Sequence, residues 1–106
     1  IRHVLRSDDF SPQSAWEQSE APKDTYQNGA YWGTPVAWVA NLMGETRGDY
    51  AKQLIQEYIT ELREGDFRKG EGHGAPWECF SPKSAQNPVY MTSVTCPFIA
   101  FKSIKK

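Results

Sequence analysis

One carboxylate stands in a setting suited to chemistry. It is Glu78, within Gly70-Glu71-Gly72-His73-Gly74-Ala75-Pro76-Trp77-Glu78-Cys79-Phe80-Ser81-Pro82. Glycines at 70, 72 and 74 permit positive φ and close backbone approach, while Pro76 and Pro82 bracket an extended Trp77–Phe80 segment. A Glu held on stiff backbone between aromatic rings is a candidate general base. The plainer reading pairs it with Arg68 or Lys69, or makes it a cap for the next loop. His73, flanked by glycines, is placed to hydrogen-bond a sugar hydroxyl or to assist Glu78, and equally reads as a surface residue. No Ser or Cys stands in a nucleophile elbow, so a hydrolase triad has no support.

A second cluster, Tyr26-Gln27-Asn28-Gly29-Ala30-Tyr31-Trp32-Gly33, combines amides with rings. The amides of Gln27 and Asn28 suit bidentate contacts to vicinal hydroxyls, and Tyr31 and Trp32 suit stacking on the C–H face of a sugar. Trp77, beside Glu78, joins them as a candidate sugar contact. The alternative is a turn at Asn28-Gly29 with the aromatics packed beneath it.

Such residues need elements to position them. Thr34-Pro35 reads as an N-cap followed by a proline in the first turn, starting a helix over Pro35–Met43 that stops at Gly44. Trp38, Val39, Leu42 and Met43 then form one stripe, expected in the core along with Tyr58 and Phe98. Asp49 caps a second helix, with Tyr50, Ala51, Leu54, Ile55, Tyr58, Ile59 and Leu62 at helical spacing and Gly65 at its end. Asn87-Pro88 opens a third helix from Val89 to about Lys105, apolar on more than one face and interrupted by Pro97, which costs about 3 kcal/mol unless packing absorbs it. Ser7 to Tyr26 reads as a long loop anchored by Phe10 and Trp16. The expected fold class is all-α: a helical hairpin plus a further apolar helix, irregular over 1–25 and helical over 26–106.

Bulk properties narrow the partners. The chain has 106 residues, 12 Lys+Arg against 13 Asp+Glu and a formal net charge of −1. The charges are scattered, so no footprint for nucleic acid or an anionic bilayer appears. The longest strongly apolar stretch, Val36 to Met43, falls far short of the roughly 20 residues that span a membrane. Cys79 and Cys96 are too few for a disulfide framework and lack metal-ligand spacing with His3 or His73, so neither a metal nor a cofactor is expected. The chain opens Ile1-Arg2-His3 without an initiator Met. With its apolar third helix, it is expected to be a piece of a longer protein.

Tyr26 to Trp32 before one helix and Trp77-Glu78-Cys79-Phe80-Ser81-Pro82 before the last one together resemble the C-terminal part of six-hairpin glycosidases. In that family an aromatic-Asn-Gly-x-x-Trp stretch opens an inner helix, an outer helix follows, and an aromatic-Glu-x-x-x-Pro loop precedes the final inner helix. The likeness covers about residues 26 to 105. It implies a fragment of an (α/α)6 toroid, a carbohydrate substrate and an extracytoplasmic or periplasmic location. It also implies a general acid in the missing upstream part of the same domain. Glu78 matches the carboxylate that inverting members use as general base, although Cys79-Phe80-Ser81 stands where relatives often place aromatics and an acid. The alternative is a non-catalytic helical carbohydrate-binding or interaction module.

Overall fold

The computed structural model describes residues 1–4 and 21–104. The elements run β1 (Tyr31–Trp32), α1 (Val36–Thr46), α2 (Gly48–Glu64), a 3-10 turn (Phe67–Lys69), β2 (Cys79–Ser81), β3 (Ser84–Gln86) and α3 (Thr92–Ser103). Three helices with a three-stranded antiparallel sheet make an α+β fold. This corrects the all-α expectation, and with it the toroid-fragment architecture and the helical reading of 26–106.

The sheet is ordered β1-β2-β3. Tyr31 faces Phe80 and Trp32 faces Cys79, while Cys79, Phe80 and Ser81 pair with Gln86, Ala85 and Ser84. A two-residue loop, Pro82-Lys83, closes the β2–β3 hairpin, and the Ser81 hydroxyl accepts from the N–H groups of Lys83 (3.1 Å) and Ser84 (3.2 Å). Strands this short carry no readable alternation, and Pro82 fits a tight turn as well as it fits a boundary. The opening residues add to the edge of β1. Arg2 bridges Tyr31, and the Trp32 N–H donates to the Ile1 carbonyl at 2.7 Å.

Helix α1 packs on both α2 and α3. Its buried residues are Val36, Ala37 and Ala40, which meet a core otherwise made largely of alanines, among them Ala51 and Ala100. Small side chains let the helices approach closely. The expected core stripe is therefore corrected: Trp38 (66%) and Leu42 (69%) are exposed, as is Phe98 of α3 (59%). Both helices are apolar on more than one side, and inside this chain the alanine side makes the contact.

Several boundaries also move. Helix α1 runs through Gly44 to Thr46, and a single residue, Arg47, separates it from α2. The Thr34 hydroxyl does not cap α1 but bonds the hydroxyl of Thr92, 3.2 Å away. Asp49 lies in the first turn of α2 without capping it, whereas Gly65 does end that helix. Helix α3 starts at Thr92, because Asn87 (φ 49°) and Val89 (φ 57°) adopt left-handed backbone. The N–H groups of Val89 and Tyr90 donate instead to the carbonyls of Gly74 and Pro76. Phe10, Trp16 and most of the expected 7–26 loop lie outside the described residues, as does Lys105.

Candidate functional site

Glu78 precedes β2, and its N–H is shared between the carbonyls of Gln86 (3.2 Å) and Asn87 (3.1 Å). That double anchor fixes the residue on the sheet, and Glu78 is only 8% exposed. The side-chain amide of Asn87 donates to its Oε2. Asn87 reaches back because of its left-handed φ, which Asn tolerates better than most residues. Among the described residues no Lys, Arg or His forms an ion pair with Glu78. Arg68 grips Asp66 at 2.6 Å and Lys69 donates to the Glu64 carbonyl, so the alternative pairing read from sequence is not found.

An aromatic group forms around Trp32. Tyr26 and Trp32 lie with ring centroids 5.0 Å apart, His3 stacks on Trp32 at 4.7 Å, and the Trp32 indole N–H donates to the Tyr26 carbonyl at 3.3 Å. Burial pushes the Tyr26 phenol up, and the charges of Glu78, Cys79 and Tyr90 push it the same way. The Tyr26 φ of 38° is an outlier for a bulky residue and is held by the turn in which the Asn28 N–H donates to the Thr25 carbonyl at 2.9 Å.

The candidate residues separate into groups. Trp32 packs against Tyr26, and the Glu78 charge acts on the Tyr26 phenol. Tyr31 lies across the strand from Phe80, ring to ring at 5.8 Å, with the Arg2 guanidinium over its face. Gln27 is exposed. Asn28 is 1% exposed, and its side-chain amide donates to the Ala21 carbonyl at 2.9 Å. Its place is inside the turn, as the alternative reading had it. Trp77 lies directly over Gly74, where a Cβ would come within 2.2 Å of the ring. His73 is exposed in the glycine loop, its N–H donating to the Gly70 carbonyl at 3.2 Å.

Sequence reasoning did not assign Tyr26, Asn87, Tyr90 or His3 to the site. Asn87 reads in the sequence as a cap-then-proline helix start, and Tyr26 carries no signal beyond membership of its cluster. Cys79 and Cys96 are both free thiols, and burial with the charge of Glu78 pushes Cys79 up to about 11. Among the described residues no three His, Cys, Asp or Glu side chains gather as a metal site, and no helix is long and apolar enough to cross a membrane. Comparison with family models, curated proteins and solved structures finds no match to this chain.

Proposed function

We propose that this chain is the base-bearing portion of a glycoside hydrolase, with Glu78 as the general base. The observation that carries the reading is a buried carboxylate that forms no ion pair among the described residues and is engaged through its side chain by one neutral amide. Burying a carboxylate without a cation is costly, so its retention calls for a task. The reaction class comes from the likeness of the short 26–32 and 77–82 segments to those of six-hairpin glycosidases, whose helical toroid this α+β fold does not reproduce.

In this reading Glu78 takes a proton from the water that attacks the anomeric carbon, while a second carboxyl group protonates the leaving oxygen. The two stand about 6.5 to 9.5 Å apart for inversion, or about 5 Å apart for retention with Glu78 as nucleophile. The likeness assigns the acid to the part of the protein upstream of the matched residues. Trp77, adjacent to Glu78 in the chain, supplies a face for the sugar ring, and Asn28 shapes the turn that precedes β1. Hydrolysis by a carboxylate pair calls on no cofactor.

The test is product release from a panel of glycans and aryl glycosides by the protein that carries this chain, as wild type and as Glu78→Gln. A fall of roughly a hundredfold or more with the fold intact supports the base. Unchanged turnover overturns it. The Asn87 clamp favours a second reading, a non-catalytic carbohydrate-binding module, because it gives Glu78 a structural task. Sugar binding without hydrolysis in either form would select that reading.

A further inference from the structure

A cleft of about 280 Å³ lies between one stripe of α2 and the sheet. From the sheet come the cross-strand pair Tyr31 and Phe80, joined by Trp32; from α2 come Glu57, Tyr58 and Glu61, which share a face at helical spacing. Its volume is near the lower end of small-molecule sites, the size for one monosaccharide ring rather than a longer ligand.

We infer that this cleft binds a single neutral sugar ring, with Tyr31 and Phe80 as the platform and Glu61 as the hydroxyl acceptor. The ligand class rests on the carbohydrate reading above, but the cleft does not depend on the chemistry assigned to Glu78. Aromatic faces carry negative charge and attract the polarised C–H groups of a sugar face. The rim supplies the complementary function, since carboxylates only accept and hydroxyls donate to them. Glu57 already accepts from the Gln53 amide at 2.8 Å. Glu61 is half-buried and has no ion-pair partner among the described residues, so it is the acceptor left to a ligand. Burial first, and the charge of Glu64 second, push its carboxyl up, a penalty that a donated hydroxyl relieves. The Tyr58 hydroxyl is committed to the Ser93 carbonyl, so Tyr58 contributes its ring alone.

The experiment is an amide-resolved NMR titration of the 106-residue chain with the methyl glycosides of glucose, galactose and xylose, and with cyclohexylmethanol as an apolar ring control. The expected result is saturable shifts centred on Tyr31, Phe80 and Glu61 with at least one glycoside, and none with the control. Glu61→Gln should weaken binding about fivefold, the loss of a charge-assisted acceptor. Phe80→Leu, which keeps an apolar side chain at the site, should weaken it about as much through the lost ring face. Equal binding of cyclohexylmethanol, shifts centred on Tyr26 and Glu78, or no saturable shift with any glycoside would overturn the proposal. Glu78→Gln separates the two readings. Lost hydrolysis with no sugar in the cleft sinks the cleft alone, whereas cleft binding with hydrolysis unchanged in Glu78→Gln sinks the assignment of Glu78 as general base alone.

Discussion

Tyr58 donates its hydroxyl to the backbone carbonyl of Ser93 over 2.5 Å, and this is the carbonyl that Pro97 leaves without a helical partner. In an α-helix the N–H four residues on would bond it, and proline has none. A phenol from α2 replaces the missing donor, so α3 continues through Pro97 to Ser103.

The replacement can be measured as a coupling. Tyr58→Phe should cost about 1–3 kcal/mol, the range for orphaning a buried acceptor. In a Pro97→Ala background the backbone supplies an N–H again, and the same change should cost about 1 kcal/mol less. Urea denaturation of the four proteins checks it; strictly additive losses would mean that the phenol does not serve that carbonyl.

Gly33 is held to glycine by the same contact. A Cβ there would stand 2.1 Å from the Tyr58 hydroxyl and 2.9 Å from the Ser93 Cβ. Gly33→Ala should destabilise by about 1–3 kcal/mol through overpacking, and less in a Tyr58→Phe background, where the first clash is gone. Thermal melts of the single and double variants decide it. An equal cost in both backgrounds would place the strain elsewhere.

Stability should fall on the alkaline side. Burial raises the Tyr58 phenol from 10.0 to about 12, and burial with the Glu78 charge raises the Cys79 thiol from 9.0 to about 11. Each group holds its proton more tightly when folded. Its contribution is therefore complete below the unfolded value and is lost as pH rises through the folded one. Denaturation midpoints should decline from pH 9 to pH 12, with a shallower decline in Tyr58→Phe and in Cys79→Ala. An unchanged slope in both variants would contradict the assignment.

Asn87 offers a finer probe of Glu78 than replacement of the carboxylate itself. Asn87→Gly accepts the left-handed φ while removing the donor, whereas Asn87→Gln keeps an amide but bears more strain. If the amide orients a general base, Asn87→Gly should lower kcat roughly tenfold with KM little changed and shift the pH profile. A change confined to stability would assign the Asn87–Glu78 bond to the fold alone.

Local chemistry made several features legible in the sequence. Helix α2 and its Gly65 stop were readable because periodicity and a terminal glycine act within one or two turns, although Tyr50 of the expected stripe is exposed. The extended backbone at Cys79–Phe80 was readable from its bracketing prolines. The sheet was not. A pair of strands two and three residues long exists only because Tyr31–Trp32 and Cys79–Ser81, far apart in sequence, meet in space. The sides of α1 and α3 that would be buried were equally hidden, since both helices are apolar around more than one face and only packing selects the alanines.

The candidate site divides along the same line. Residue types together with the family likeness single out Glu78, and Trp32 is balanced between sugar contact and packing. Asn87 holds the Glu78 carboxylate, Tyr26 and His3 pack on Trp32, and of these Asn87 and His3 lie outside the two clusters. Tertiary structure also placed Tyr31 in a cleft with Glu61 and turned the Asn28 amide inward. Short-range propensities and spacing are written in neighbouring residues, whereas burial, cross-strand register and the partner of a carboxylate arise only when distant segments compete for the same space.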